Sequence, residues 1–149
     1  MRQTVRAIVI KDNQLLVMRR NKFGQEYCAL VGGAIDIGEH QLQALGREVM
    51  EETSLTIANP RLVIIEDAGA MYGIQHIYLC EYVSGEPQLQ PDAIEAKISA
   101  GGKNLYEPGW LALEELASSN MQPRELRDLL VELIAKGFPD EPVKLTIQG

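Results

Sequence analysis

The sequence predicts a single domain of mixed α and β structure, and three observations support this prediction. Several short runs rich in β-branched residues are separated by turn residues, which is typical of strands and hairpins. Two longer segments, which follow Gly38 and Pro123, carry apolar residues at helical spacing. The chain has 149 residues and is 46% hydrophobic, which suits one folded domain spanning residues 1–149.

The predicted strands are distributed along most of the chain. They are expected at residues 4–10, 15–19, 27–31, 61–68, 75–83 and from 110 onward, where an acidic helix start follows by 116. Lys11-Asp12-Asn13-Gln14 is typical of a turn, so the first two runs are predicted to form a hairpin. The fourth and fifth runs bracket a second turn and predict another hairpin or ribbon.

Two amphipathic helices are predicted beside these strands. In the first, Leu42, Leu45 and Val49 form a stripe that is expected to dock on the sheet. The second begins at Gln122-Pro123, and its apolar face consists of Leu126, Leu129, Leu130, Leu133 and Ile134. Segment 84–108 is rich in Gly and Pro and predicts a long loop with a short helix at 93–98. Residues 142–148 fit either a terminal strand or an interface segment.

The composition excludes several classes of protein. The net charge of −7 argues against nonspecific binding to a nucleic acid polymer, which needs a basic surface. No apolar run reaches the length of about 18 residues that a membrane helix needs, and residues 1–4 lead directly into a predicted strand, so a cytoplasmic location is expected. Cys28 and Cys80 lie in apolar runs without zinc-site spacing and are expected to be buried free thiols.

The first predicted helix carries three carboxylates on one face. Glu48 and Glu52 lie about 40° apart on a helical wheel, and Glu51 lies about 60° to the other side of Glu48. Only Arg47 is close enough to offset their charge. A solvated helix surface is the simpler interpretation of such a face. Because like charges at this spacing repel, we favour a site for a hard divalent cation, Mg²⁺ or Mn²⁺, which takes oxygen ligands.

The stretch from Gly32 to Leu55, GGAIDIGEHQLQALGREVMEETSL, resembles the Nudix box. That box is written as Gly, five residues, Glu, seven residues, and then Arg-Glu-aliphatic-x-Glu-Glu-x-Gly-aliphatic. The positions that match it are Gly33, Glu39, Arg47, Glu48, Val49, Glu51, Glu52 and Leu55. Three positions depart from the usual pattern: Ser54 replaces the last Gly, Val31 stands where Pro is common, and Asp36 stands where Glu is common.

The resemblance to the Nudix family implies a fold and a metal site. The implied fold is a mixed sheet sandwiched between helices, with the acidic helix on one side and the C-terminal helix on the other. The implied cofactor is Mg²⁺ or Mn²⁺, held by Glu48 and Glu52 with help from Glu51 and a backbone carbonyl of the Gly32-Gly33 loop. Such ions bridge a diphosphate and lower the pKa of an attacking water.

The resemblance also implies catalytic and supporting roles for individual residues. Glu48, Glu51, Glu52 and Arg47 are the expected catalytic residues, and Glu51, Glu95 or Glu107 is the expected general base. Glu39 is expected to pair with Arg47 and hold the loop against the helix. A capping role at the helix start is the alternative for Glu39.

Candidate substrate-binding residues lie outside the box. Arg19 and Arg20, within the cluster Arg19-Arg20-Asn21-Lys22, suit contacts to phosphate oxygens, although a solvated strand end is the alternative. Tyr72 is a candidate for stacking on a base, or else an ordinary turn aromatic. Glu95 and Glu107 lie in a region from which Nudix proteins commonly draw an extra acid or substrate contacts, or they are plain loop charges.

The expected function is metal-dependent hydrolysis of the diphosphate linkage between a nucleoside diphosphate and another moiety, that is, a Nudix-type pyrophosphohydrolase. The alternative is a catalytically weak Nudix-like module that binds or senses a nucleotide, and a purely structural protein is a third possibility. The expected partner is a small nucleotide or other diphosphate, with no nucleic acid polymer and no membrane. A homodimer is plausible for the family. The particular substrate is not indicated by any stretch of this sequence.

Overall fold

The computed structural model describes residues 2–147, which form eight strands and four α-helices. The strands are β1 (Gln3–Lys11), β2 (Gln14–Lys22), β3 (Gln25–Ala29), β4 (Val31–Ala34), β5 (Thr56–Asp67), β6 (Ile74–Ser84), β7 (Asn104–Ala112) and β8 (Val143–Thr146). The helices are α1 (Gln41–Thr53), α2 (Gly69–Tyr72), α3 (Ile94–Ser99) and α4 (Arg124–Lys136), and a 3₁₀ helix at Leu113–Ser118 follows β7. No helix within this part of the chain has the length and apolar character needed to cross a membrane.

The strands form a mixed sheet in two groups that are joined at β1 and β2. The first group has the order β4-β1-β6-β5-β8, in which β1 and β6 are parallel, as are β5 and β8. The second group has the order β3-β2-β7 and is antiparallel throughout. A tight turn connects β1 to β2, and Asp12 and Asn13 both adopt positive φ there, as a two-residue hairpin turn requires. The first predicted hairpin is therefore confirmed.

Helices cover opposite faces of the sheet, each over its own apolar core. Helix α1 packs Ala44, Leu45 and Val49 into one core, together with alternate residues of β1. Helix α4 packs Leu126, Leu130 and Leu133 into the other core. The mixed sheet sandwiched between helices that the resemblance implied is therefore confirmed.

Four sequence-based expectations of local structure need correction. Leu42 is 54% exposed and is not part of the docking stripe, where Ala44 takes its place because it faces the sheet. The Gly32-Gly33 pair lies inside β4 and is hydrogen-bonded to β1, so it is not a flexible loop. The predicted strand 27–31 is two strands, β3 and β4, separated by Leu30. The end of the predicted long loop is strand: residues 104–108 belong to β7 because they pair with β2.

Two other expectations agree with the structure. Cys28 and Cys80 are buried free thiols, as predicted. The C-terminal segment forms the short strand β8 beside β5, although Gln148, the last residue of that predicted segment, lies outside the described residues.

Candidate active site

The acidic face of α1 lies against the glycine pair of β4. Gly32 has a φ of +147°, and a Cβ there would lie 2.0 Å from the carbonyl oxygen of Val5, so only glycine fits this position. Its backbone N–H donates a 2.9 Å hydrogen bond to Oε1 of Glu52. At Gly33, a Cβ would lie 2.5 Å from Oε2 of Glu48. The absence of side chains on both glycines therefore lets two carboxylates of α1 approach the strand.

Three carboxylates converge beside these glycines. Glu48, Glu52 and Glu95 each offer an oxygen, and these oxygens lie within 4.8 Å of one another. Glu95 reaches the cluster from α3, and its Oε1 is buried without a hydrogen-bond partner among residues 2–147. A divalent cation such as Mg²⁺ or Mn²⁺ fits this donor set, because hard cations take carboxylate oxygens and would satisfy the unpaired atom.

Arg47 connects the remaining acids of the box. Its guanidinium donates two hydrogen bonds to Glu39, of 2.8 and 2.9 Å, so the predicted ion pair is present. It also donates to Oε1 of Glu48 at 3.0 Å and to Oε2 of Glu51 at 3.3 Å. A further bond of 3.1 Å reaches the carbonyl of Ala34 at the end of β4. Arg47 therefore holds the loop 35–40 and the carboxylate of Glu48 in fixed positions.

Glu39 does not cap helix α1. The helix begins at Gln41 with His40 as its N-cap, and Gln43 accepts a hydrogen bond from the His40 backbone N–H at 3.1 Å. Oε1 of Glu39 instead accepts from the backbone N–H of Asp36 at 3.0 Å. The position of Glu39 one residue before the cap makes it a brace for the loop, since its carboxylate binds both the loop backbone and Arg47.

The environment shifts the pKa values of these acids in opposite directions. Burial raises the pKa of Glu52 to about 8, although the Gly32 N–H and Arg6 oppose this shift. Burial also raises the pKa of Glu48, and Arg47 opposes that shift. Hydrogen bonds from Arg47 lower the pKa of Glu39 to about 2. Glu39 is therefore a permanent anion, whereas Glu52 needs a nearby cation to be ionised at neutral pH.

A cavity of about 560 Å³ adjoins the acid cluster and includes Glu52 in its wall. Arg20 and Tyr106 also line it, with the guanidinium carbon of Arg20 3.6 Å from the ring centroid of Tyr106. Arg20 also donates to the hydroxyl of Tyr27 at 3.2 Å, to the carbonyl of Leu105 at 3.0 Å and to Asn104. Its side chain is therefore a fixed wall of the cavity, which presents positive charge to whatever binds there.

The other predicted substrate-binding residues are divided between two faces. Tyr72 lines the cavity and is 58% exposed. Arg19 lies on the opposite face of β2 from Arg20, and it donates to the carbonyl of Trp110 at 2.9 Å. Glu107 is its exposed partner across the β2–β7 pair. Neither Arg19 nor Glu107 is among the described residues that line the cavity, so their roles stay predictions.

The cavity is also lined by polar residues that the sequence-based selection omitted, namely Gln25, Gln122 and three residues on neighbouring strands. These three are Arg6 on β1, Glu66 at the end of β5 and Gln75 at the start of β6. Nε of Arg6 donates to Oε1 of Gln75 at 3.0 Å. A polar residue near a strand end is usually solvated, so only the strand pairing shows that these three lie on one buried face. Arg6 interrupts an apolar run, and this was the one feature of the sequence that could have indicated a buried polar group here.

Comparison with known proteins identifies the family of the chain. The family model described as NUDIX domain matches residues 1–132. An Escherichia coli protein named NAD-capped RNA hydrolase NudC is 26% identical over 106 residues. That match covers 71% of this chain but only 37% of the relative, so the chain corresponds to little more than a third of that protein.

Solved structures share the fold. A NUDIX hydrolase from Nitrosomonas europaea superposes with a TM-score of 0.72 at 15% identity, covering 98% of this chain and 79% of the other. The E. coli ORF135 protein gives a TM-score of 0.67 at 22% identity, covering 92% and 93%. The family match spans most of the chain and includes the acids of α1, and the neighbours have the same mixed sheet between helices. The chain is therefore a member of the Nudix family.

Proposed function

We propose that this Nudix-family pyrophosphohydrolase uses Mg²⁺ or Mn²⁺ to cleave the diphosphate linkage of a nucleoside diphosphate derivative. The observation that carries the proposal is the convergence of Glu48, Glu52 and Glu95 within 4.8 Å, with one buried Glu95 oxygen lacking a partner in the described part of the chain. Such a cluster is unfavourable without a cation, because three carboxylates repel one another in a partly buried setting.

The residues of the site have different roles in phosphoryl transfer. Divalent cations, when bound, supply positive charge for the diphosphate and an activated water. Glu48, Glu52 and Glu95 would hold them, beside the glycine pair whose Gly32 N–H already binds Glu52.

Arg47 acts as a positioning residue, since it binds Glu48 and the loop rather than the open cavity. Glu51 shares a guanidinium nitrogen of Arg47 with Glu48, and it keeps an accessible carboxylate. Of the three acids considered for proton removal, Glu95 belongs to the cluster, and Glu51 shares Arg47 with Glu48 of the cluster. In contrast, Glu107 is not among the residues between 2 and 147 that line the cavity.

The cavity supports a nucleoside derivative as the substrate class. It extends from Glu52 past the aromatic rings of Tyr27 and Tyr106 and the cations of Arg20 and Lys22. Aromatic rings suit a base or sugar, and cations suit phosphate oxygens. A small molecule of the cytoplasm, rather than a nucleic acid polymer or a membrane, is the partner that we propose. The homodimer remains a family-based hypothesis.

A hydrolysis assay with Mg²⁺ tests the proposal. Nucleoside triphosphates, oxidised nucleotides, ADP-ribose, nucleotide sugars and dinucleoside polyphosphates are supplied separately, and the products are identified by mass. Glu52→Gln is expected to lower kcat/KM by at least about 100-fold, because it removes one oxygen ligand and its charge. Glu132→Gln on the exposed side of α4 is the matched control and is expected to leave turnover unchanged.

This assay, together with measurements of nucleotide binding and thermal stability, distinguishes the competing functions. Turnover that persists in Glu52→Gln would contradict the metal-site assignment. Binding of a nucleotide that depends on metal but gives no product would favour a sensing module. A thermal-shift experiment without any response to Mn²⁺ would favour a structural protein.

A further inference from the structure

A buried polar row crosses three strands beside the cavity. Thr4 of β1 is in register with Gln75 of β6, and Gln75 is in register with Glu66 of β5. Residues paired in this way project to the same face of a sheet, and this face is the one covered by α4. Thr4, Gln75 and Glu66 are 1%, 7% and 4% exposed. Polar side chains are rarely so buried without a specific partner.

The members of this row differ in how well they are hydrogen-bonded. Gln75 accepts from Nε of Arg6 at 3.0 Å and donates to the carbonyl of Tyr72 at 3.3 Å. In contrast, Oε1 of Glu66 and Oγ1 of Thr4 are buried and have no hydrogen-bond partner anywhere between residues 2 and 147. Burial raises the pKa of Glu66 to about 7, with Arg6 opposing and Glu125 adding to the shift. The carboxylate of Glu66 is therefore the least satisfied polar group of the row.

One cavity contacts both the row and the acid cluster. Glu52, Arg6, Gln75 and Glu66 all line it. The charge of Arg6 opposes the rise in pKa of both Glu52 and Glu66. The lining of the cavity also includes the apolar residues Leu30, Ile77, Pro123 and Leu126. A ligand whose diphosphate lies at Glu52 would thus occupy the same cavity that Glu66 lines.

We propose that Glu66 is a specificity-determining residue, whose carboxylate accepts a hydrogen bond from an exocyclic amino group of the substrate's heterocyclic base. The proposal rests on the proposed function and names the part of the substrate that Glu66 binds. In its ionised form, Glu66 has an unpaired oxygen that requires a donor, and this form excludes a phosphate group or a purely carbonyl edge as its partner. The apolar walls suit a flat ring, which covers them while its polar edge meets Glu66.

Arg6 and Gln75 act in this proposal as positioning residues. The Arg6 guanidinium donates to Gln75 and, through a second nitrogen, to the carbonyl of Leu30 at 3.2 Å. Two of its donor nitrogens are thus held by the protein, and it offers Glu66 charge rather than a hydrogen bond. The acceptor capacity of Glu66 is therefore left for a ligand. A site built in this way discriminates strongly against a ligand that lacks the donor, because the buried acceptor is then left unpaired.

Nucleotide pairs that differ in one amino group test the proposal. Wild-type protein with Mg²⁺ is titrated calorimetrically with GMP and IMP, with AMP and purine riboside monophosphate, and with CMP and pyrimidinone riboside monophosphate. In at least one pair the amino form is expected to bind about 10-fold or more tightly. Glu66→Gln, which keeps the shape but replaces an acceptor with a donor, is expected to reduce that ratio to about twofold or less. Glu132→Gln serves again as the exposed control and should keep the wild-type ratio.

Several outcomes would overturn the proposal. One is a ratio of affinities near unity for all three nucleotide pairs in the wild type. This result needs no variant, so it does not depend on how Glu66→Gln folds. Another is a wild-type preference for the amino form that Glu66→Gln keeps, with the same ratio of affinities in both proteins. A third is a loss of affinity on 2′-deoxy substitution that Glu66→Gln abolishes, which would show that the carboxylate binds a sugar hydroxyl.

Kinetics separate this proposal from the proposed function. For a hydrolysed substrate with an amino-bearing base, Glu66→Gln is expected to raise KM while kcat stays within about twofold, because the base is remote from the reacting phosphorus. A fall in kcat with unchanged KM would contradict the specificity role. Absence of turnover in the wild type would contradict the hydrolase, whereas the calorimetric ratios would still decide the role of Glu66.

Discussion

The backbone N–H of Gly32 and the carboxylate of Glu52 are joined by a 2.9 Å hydrogen bond, which links strand β4 to helix α1 at the centre of the acid cluster. Glu52 is buried, and this bond and the charge of Arg6 favour its charged form, but burial outweighs them and raises its pKa. The strand therefore fixes the orientation of the acid, but it does not compensate its charge. Because the protein does not compensate the buried charge of Glu52, a cation is expected at this position.

Replacement of Gly33 by alanine is expected to weaken metal binding more than folding. The added Cβ would lie 2.5 Å from Oε2 of Glu48, and it would displace a side chain that can rotate. We expect the affinity for Mn²⁺ to fall by about 10-fold or more, as measured by calorimetry. Gly46→Ala on the exposed side of α1 has nothing within 4 Å of its Cβ. It should keep the affinity and stabilise the helix by about 1 kcal/mol. Equal affinities in the two variants would contradict this assignment of Glu48.

Replacement of Arg47 by lysine is expected to loosen the metal site. Lysine keeps the charge but cannot make the two parallel bonds to Glu39 while it also reaches Glu48 and the Ala34 carbonyl. We expect Mn²⁺ affinity to fall by about 10- to 100-fold, with a lower melting temperature in the metal-free protein. Arg61→Lys, at an exposed arginine with one bond to the Pro139 carbonyl, is the control and should leave the affinity unchanged. Wild-type affinity in Arg47→Lys would show that this arginine does not position Glu48.

The stability of the metal-free protein is expected to fall as the pH rises. The folded pKa of Glu52, about 8, lies above its ordinary value of 4.5, so the folded state binds the extra proton between these limits. Its contribution is fully present below about pH 4.5 and is lost as the pH rises through about 8, with a slope of at most about 1.4 kcal/mol per pH unit.

Urea denaturation with a chelator at several pH values measures this dependence. Glu48 and Glu66 act in the same direction, so the comparison with Glu52→Gln isolates the part due to Glu52. Glu52→Gln should show a shallower decline, and excess Mn²⁺ should stabilise the wild type most at high pH, where the ligands are ionised. Parallel pH curves for wild type and Glu52→Gln would refute the raised pKa.

Ser54 is expected to tolerate glycine better than alanine. It ends α1 with a φ of +63°, which favours glycine. Its hydroxyl donates to the Gln88 carbonyl and accepts from Gln90 at 2.7 Å, which ties down the segment leading to Glu95. Ser54→Gly loses these bonds but relieves the backbone. Ser54→Ala loses the bonds and keeps the strain, so its free energy of unfolding should fall by about 1 kcal/mol in urea titrations. An alanine variant as stable as wild type would contradict this account.

Most of the metal-binding half of the site was predictable because it is local in the chain. Glu48, Glu51 and Glu52 lie on one helix, so spacing placed them together, and the family resemblance paired Glu39 with Arg47. Glu95 comes from α3, and its place in the cluster was not predictable from spacing. Arg20 and Tyr106 are 86 positions apart and meet only through the β2–β7 pairing. Arg19 and Arg20 are adjacent in sequence but lie on opposite faces of β2. Only Arg20 lines the cavity, and the sequence did not indicate which of the two would.

The polar row beside the cavity was not predictable for a related reason. Thr4, Gln75 and Glu66 come from three strands, and their register depends on a parallel crossover between β1 and β6. Hydrophobic periodicity shows that each run is a strand but not which strands pair. The glycine pair was taken for a loop for the same reason, because β4 is held by β1 and not by its own sequence.

Titration of the protein with Mn²⁺, followed by calorimetry at about pH 8, tests the central claim most directly. Binding is expected in the wild type and in Glu132→Gln, with affinity reduced by at least about 10-fold in Glu52→Gln and in Glu95→Gln. Heats and affinities that are identical in all four proteins, or no binding to the wild type, would contradict a cation site formed by Glu48, Glu52 and Glu95.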